Sequence, residues 1–178
     1  MKNLFLLFTI IITTMISVTF SPLDNPNSNT AGEQPTIYYF IRHAEKDTSN
    51  PTDKDPEING QGKMRAGNWA KVFKEIDFDV IYSSNYKRTR TTAKIIADTR
   101  GKEIKLYDAS KLNDEDFKLN TRGKTVLVVG HSNSNPAFIN FILEENKFKD
   151  IPETEYGSLH IISIFPNGKK LSQVLYIN

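Results

Sequence analysis

The sequence contains no cysteine among its 178 residues. This absence excludes thiolate catalysis, disulfide bonds, thiolate zinc sites and a lipidated cysteine anchor. Histidine is also scarce, so any histidine-dependent chemistry must use His43, His131 or His160. The formal net charge is only +2 and basic residues are scattered along the chain, which argues against a nucleic-acid partner. The length fits one domain, and 38% hydrophobic with 25% charged residues is typical of a globular protein.

The first 20 residues combine a positive end at Lys2 with an apolar run from Leu4 to Phe20. This order predicts a signal peptide, and a retained membrane anchor is the alternative because no Ala-x-Ala cleavage site is present. Residues 21–35 are polar and rich in proline and asparagine, which predicts a disordered linker. The sequence therefore predicts an exported protein, periplasmic or extracytoplasmic, with a folded domain over residues 36–178.

Four segments in this domain are predicted strands, three of them apolar and typical of buried strands, and segments with helical periodicity or capping residues separate them. The four predicted strands are residues 37–41, 80–82, 103–107 and 125–129. Two later runs flank Pro166-Asn167-Gly168, which predicts a closing hairpin. We therefore predict an α/β fold, a three-layer sandwich with a mainly parallel central sheet and a C-terminal antiparallel hairpin.

Polar residues follow three of the predicted strands. Arg42 and His43 end the first, Ser83-Ser84 precedes Arg88 after the second, and His131 follows the fourth. Parallel strands end at one edge of a sheet, so these side chains are predicted to converge there. Arginine forks match phosphoryl oxygens, and a neutral histidine can attack phosphorus. Clustered cations should also lower the histidine pKa values. The alternative is a set of unrelated capping and core residues.

Four motifs in order resemble those of the histidine phosphatase superfamily, the branch that includes phosphoglycerate mutases and small bacterial phosphohistidine phosphatases. Arg42-His43-Ala44 resembles the Arg-His-Gly signature, with alanine in place of glycine. Residues 58–62 are similar to the capped Leu-Thr-x-x-Gly turn, with Asn59 where threonine usually stands. Residues 83–93 resemble the segment with the second arginine, here Arg88, and residues 128–133 resemble the second-histidine segment. The resemblance covers the chain from about Thr36 onwards.

The resemblance implies that His43 is the nucleophile and forms a phosphohistidine, while Arg42, Arg88 and His131 hold the phosphoryl oxygens. Asn59 and Ser132 are further substrate-binding candidates. Many family members carry a glutamate acid in a Leu-x-Glu motif after the third strand, and Asp108 is the nearest carboxylate here. Asp108 is therefore the candidate general acid.

Two further residues have more ordinary interpretations. Glu45 is a weaker candidate acid that we expect to pair with a neighbouring cation. We expect Arg90 to be a surface or outer-shell residue. The resemblance implies no metal and no cofactor.

Residues 108–124 separate the third and fourth strands, where mutases of this family carry a long insertion that covers the pocket. This stretch is too short for a helical lid and too polar to pack as one, so we expect an open pocket. An open pocket favours hydrolysis and admits phosphate on a small molecule, a protein or an envelope glycan. The sequence predicts an exported phosphatase acting on a phosphomonoester or phosphohistidine. The alternatives are a phosphoglycerate mutase-type phosphotransferase and a non-catalytic phosphate-binding module.

Overall fold

The computed structural model of the protein describes residues 34–111 and 114–177. The predicted signal or anchor and residues 21–33 of the predicted linker lie outside these ranges. Within the described ranges, no helix has both the length and the apolar character needed to span a membrane.

Six strands and four helices make up the described domain. In chain order they are β1 (Thr36–Arg42), α1 (Gly60–Val72), β2 (Val80–Ser84), α2 (Lys87–Asp98), β3 (Ile104–Tyr107), α3 (Glu115–Thr121), β4 (Thr125–Gly130), α4 (Ser134–Leu143), β5 (Ser158–Ile164) and β6 (Lys170–Tyr176). The strands form one sheet in the order β3-β2-β4-β1-β5-β6. The first four strands are parallel, β5 runs antiparallel to its neighbour β1, and β6 pairs antiparallel with β5 to close the hairpin. The predicted α/β fold with a C-terminal hairpin is confirmed.

The central strands are apolar throughout because both faces of the sheet are covered by helices. In β1, Ile41 packs on one face with Trp69 of α1 and Ile96 of α2. Its neighbour Phe40 packs on the other face with Phe138 of α4. This alternation produces two separate hydrophobic clusters, one on each side of the sheet, as a three-layer sandwich requires.

Helix α3 corrects the expectation that residues 108–124 are too polar to pack. Phe117 is buried in the cluster with α4, and the hydroxyl groups of Tyr38 and Thr121 lie 2.6 Å apart in a hydrogen bond. Asp114 caps the helix by accepting a hydrogen bond from the Phe117 amide at 2.8 Å. A single aromatic anchor and one capping carboxylate therefore order a mostly polar stretch. The helix packs on a face of the sheet and contributes no residue to the cavity described below.

Candidate active site

The two predicted catalytic histidines lie side by side because β1 and β4 are adjacent, parallel and in register. Arg42 pairs with Gly130, so the next residue on each strand is a histidine. The His43 amide donates to the Gly130 carbonyl at 2.9 Å, and the centroids of the two imidazole rings are 5.4 Å apart. A side chain at position 130 would collide with Asn135 and Tyr107, so only glycine permits this packing. The sheet edge thus fixes the histidine pair.

His43 is held as a neutral imidazole with one ring nitrogen available. The residue is only 3% exposed, and its Nδ1 lies 2.8 Å from the Ala44 carbonyl, a contact that requires Nδ1–H as the donor. The proton on Nδ1 leaves the lone pair on Nε2. Burial, with the charges of Arg88, His131 and Arg42, lowers the pKa of His43 to about 3, against the opposing effect of the hydrogen bond to Ala44. His43 is therefore unprotonated at neutral pH, as a nucleophile must be.

His131 takes the opposite tautomer through a chain of hydrogen bonds. Its Nε2 lies 2.8 Å from Ser84 Oγ, which in turn donates to Thr89 Oγ1 at 3.0 Å. An Arg88 Nη2–H donates to His131 Nδ1 at 3.4 Å, which places the ring proton on Nε2. Burial lowers the pKa of His131 to about 4, and the Arg88 and Arg42 charges act in the same direction.

Arg88 lies in the first turn of α2, beside the histidines. Its guanidinium lies 4.6 Å above the Tyr86 ring, and Asp55 faces it at 3.4 Å. The Tyr86 side chain does not cap α2. Asp55 instead caps the helix by accepting a hydrogen bond from the Lys87 amide at 3.0 Å. The Arg88 Nε–H is buried and has no acceptor among the described residues. A buried guanidinium donor without an acceptor is suited to an incoming anion.

Arg42 is 1% exposed and is fixed by the segment that precedes β5. Its Nη1 donates to the carbonyls of Pro152, Glu153 and Glu155 at 2.9 to 3.0 Å. The Tyr156 ring lies 4.3 Å from the guanidinium carbon. The Nε–H of Arg42, like that of Arg88, is buried with no acceptor in the described part of the chain. Both arginines that line the cavity therefore carry an Nε–H donor without an acceptor among the described residues.

These residues line one cavity of about 570 Å³ at the carboxyl edge of the sheet. The structure brings together four of the predicted catalytic residues, Arg42, His43, Arg88 and His131, with the predicted ligand Ser132. Lys46 and Tyr86 also line the cavity, together with the carboxylates Asp150 and Glu153. The arrangement offers guanidinium donors to an anion and a neutral imidazole to its central atom.

Two predicted site residues, Asp108 and Asn59, do not line this cavity. The Asp108 carboxylate accepts hydrogen bonds from the amide and hydroxyl of Ser110 that lower its pKa. Asn59 caps α1 by accepting the Gly62 amide at 2.9 Å, and its amide group donates to the Lys46 carbonyl. Both side chains form hydrogen bonds to nearby backbone groups, and the acid role of Asp108 and the ligand role of Asn59 stay predictions.

Glu45 and Arg90 have the structural roles expected from the sequence. Glu45 pairs with Arg65 at 2.7 Å, and neither residue lines the cavity. Arg90 donates to Asn85 and is likewise outside it. His160 is buried on β5 with its ring 5.1 Å from that of Phe148, which is a packing role.

Glu153, Asp150, Lys46 and Tyr86 were not predicted as site residues. Lys46 and Tyr86 could have been suggested, because each lies within three residues of a predicted site residue. Glu153 and Asp150 lie between α4 and β5 without a periodic pattern, so no sequence signal points to them.

The depressed pKa of His43 predicts a specific dependence of stability on pH. Between its ordinary value of 6.5 and about 3, the unfolded chain binds a proton at His43 that the folded chain does not. Stability is therefore complete above pH 6.5 and falls as the pH is lowered through this window. Within this window, we expect His43→Asn to reduce the slope of the unfolding free energy against pH by about 1.4 kcal/mol per pH unit. Urea unfolding at pH 7.5, 6 and 4.5 tests this, and parallel curves for the two proteins would contradict it.

The sheet topology and the cavity at its edge define the phosphoglycerate mutase-like class of α/β proteins. Residues 38–118 match the model of the histidine phosphatase superfamily, branch 1. This segment runs from β1 into α3 and contains His43, Arg42 and Arg88. The similarity to this superfamily covers a little under half of the chain. No curated protein sequence matches the chain.

Solved structures of phosphatases share the fold. The phosphoserine phosphatase from Entamoeba histolytica, solved with 3-phosphoglyceric acid, aligns with a TM-score of 0.59 at 19% identity over 80% of this chain and 97% of that chain. The protein histidine phosphatase SixA, solved with tungstate, aligns with a TM-score of 0.57 at 13% identity over 79% of this chain and 96% of that chain. At these identities the comparison establishes the common fold.

Proposed function

We propose that the protein is an exported, metal-independent phosphatase that hydrolyses a phosphomonoester or phosphohistidine through a phosphohistidine intermediate on His43. The observation that carries the proposal is the state of His43, a neutral imidazole whose Nδ1–H is bound to the Ala44 carbonyl. Its Nε2 lone pair lies in a cavity shared with Arg42 and Arg88. Anion binding alone does not require an imidazole in this state, which favours catalysis over a binding module.

The chemistry proceeds in two displacements at phosphorus. In the first, Nε2 of His43 forms a bond to phosphorus, and the bond to the leaving group breaks with its electron pair. In the second, water attacks phosphorus, the N–P bond breaks, and phosphate leaves with His43 neutral again. Arg42 and Arg88 stabilise the charge on the phosphoryl oxygens in both transition states, and His131 orients the Arg88 guanidinium by accepting from its Nη2. The two guanidiniums supply the charge that a metal ion supplies in other phosphatases, so no metal is required.

The leaving group receives little help from the protein. Asp108 lines the neighbouring cleft rather than the cavity, and hydrogen bonds from Ser110 lower its pKa. Glu153 is held ionised because the hydrogen bond from Ser132 and the charge of Arg42 lower its pKa. An ionised carboxylate cannot donate a proton. Leaving groups that depart without protonation, such as aryl oxides, or that carry their own proton site, such as imidazole, are therefore preferred.

The surroundings of the cavity leave room for a bulky leaving group. A second cleft of about 500 Å³ shares Tyr86 and Ala109 with the cavity and continues past Leu106 and Asp108. No described residue of α3 lines either space. This supports hydrolysis of phosphate on a small molecule, a protein or an envelope glycan. It disfavours the mutase alternative, because a mutase must exclude water from its phosphoenzyme.

Aryl phosphate should be hydrolysed faster than alkyl phosphate by about 100-fold, which is the lower end of the rate enhancement that a general acid supplies. The measurement is kcat/KM for 4-nitrophenyl phosphate and ethyl phosphate, with and without a chelator, and the chelator should change neither rate. Asp108→Asn tests the candidate acid: unchanged rates would exclude Asp108 from that role, and a loss larger for ethyl phosphate would assign it. Absence of turnover would support the binding module, and interconversion of phosphoglycerates faster than their hydrolysis would support the mutase.

Export is proposed from residues 1–20 alone, which have the order of a signal peptide or anchor. A possible tether through residues 4–20 would keep the domain at the membrane. Fractionation of the native host would test this, and activity confined to the cytoplasm would contradict it.

A further inference from the structure

Glu153 binds two groups that a phosphoryl ligand is expected to use. Its Oε2 accepts from Arg42 Nη2 at 2.7 Å, and its Oε1 accepts from Ser132 Oγ at 2.6 Å. All three residues line the cavity. The carboxylate therefore bridges a guanidinium and a hydroxyl in the same way that two oxygens of a bound anion would.

Arg42 has one bidentate edge left for a ligand, and Glu153 takes half of it. Nη1 is committed to three backbone carbonyls, so Nε and Nη2 form the remaining fork. Nε–H is buried without an acceptor among the described residues, and Nη2 donates to Glu153. A phosphoryl group can engage both prongs only after the carboxylate has moved.

Of the two partners, Glu153 is the one that can move. The Glu153 side chain is 68% exposed, whereas that of Arg42 is 1% exposed and fixed by its backbone contacts. An exposed carboxylate is hydrated when it leaves its partner, so its displacement costs little. Moving the Arg42 guanidinium would instead break several buried hydrogen bonds.

We propose that Glu153 is an internal competitor that determines which anions the phosphoryl site accepts. Its carboxylate occupies Arg42 and Ser132 in the unliganded protein and is displaced when a phosphoryl dianion binds. A free carboxylate offers the same chemistry as Glu153 but without its high effective concentration, so it is rejected. A phosphoryl group carries more charge and more oxygens and so can displace it. The identity of the ligand rests on the proposed function, but the competition itself does not require turnover.

The test measures the binding of inorganic phosphate by isothermal titration calorimetry at pH 7.5. Glu153→Ala should bind phosphate roughly fivefold more tightly than the wild type, the scale of an exposed ion pair. It should also gain measurable affinity for acetate. Asp150→Ala is the matched control, because it removes an exposed carboxylate from the same cavity that makes no hydrogen bond to Arg42. The control should change phosphate affinity less than twofold, because it breaks no ion pair with Arg42.

Weaker phosphate binding by Glu153→Ala would overturn the proposal, because Glu153 would then be a positioning residue for Arg42. Equal tightening in Asp150→Ala would also overturn it, since general charge would explain both. Turnover of 4-nitrophenyl phosphate separates this inference from the proposed function. An active enzyme with unchanged binding in Glu153→Ala refutes the competitor alone. A protein that neither binds phosphate nor hydrolyses the ester refutes both.

Discussion

Replacement of His43 by alanine is expected to abolish hydrolysis and leave the fold intact. The variant has no atom that can form the bond to phosphorus, and no other histidine can replace it, because His131 Nδ1 accepts from Arg88. His43 lies in the cavity wall at the end of β1, so its truncation enlarges the cavity and leaves the two sheet-facing hydrophobic clusters in place. The measurement is the turnover of 4-nitrophenyl phosphate, with thermal unfolding as the check on the fold.

Trapping of the intermediate identifies the nucleophile directly. Wild-type protein quenched during turnover of a labelled phosphate ester should carry an acid-labile, base-stable adduct, as expected for a phosphorus–nitrogen bond. The same protocol applied to His43→Ala should give no adduct. An adduct of equal yield on the variant would place the nucleophile on another residue and refute the assignment.

Arg88→Ala and His131→Ala are each expected to lower kcat by about 100-fold to 10,000-fold, the usual cost of removing, or of no longer orienting, a preorganised donor to a developing charge. Arg88 carries a buried Nε–H without an acceptor among the described residues and donates to His131 at 3.4 Å. His131 packs against both the His43 and Tyr86 rings. Steady-state kinetics on an aryl phosphate measure both losses.

Arg90→Ala is the control for these variants. It removes the same charge from the same helix, but Arg90 donates to Asn85 and does not line the cavity. Its kcat should stay within about threefold of the wild type, as for a surface substitution. Losses of tenfold or less in both Arg88→Ala and His131→Ala would mean that the reacting group binds elsewhere.

Much of the site could be predicted because its residues follow strands directly. A buried strand has a strong local signal, and adjacent parallel strands end at one edge, so Arg42, His43 and His131 are placed by β1 and β4 together. Arg88 follows from β2 and the start of α2 by the same reasoning. The roles of these residues remain predictions for the variants above to test.

The direction of the Asp108 side chain could not be predicted, because proximity in sequence does not fix where a side chain points. Asp108 follows β3 immediately, yet its carboxylate turns back to the Ser110 amide and hydroxyl. Short polar side chains in turns often satisfy nearby backbone groups in this way. Asn59 likewise uses its side chain locally, to cap α1. In both cases a local hydrogen bond decides where the side chain points.

By itself, the sequence determined the elements, the hairpin and the strand ends that carry the arginines and histidines, because periodicity and turn residues are local properties. Only the tertiary structure decided what surrounds them. Arg42 and Glu153 are 111 positions apart and meet through a segment without periodicity, and Phe117 orders α3 only by packing against the sheet. Contacts of this kind depend on how distant parts of the chain fill space around one core, which no local pattern encodes.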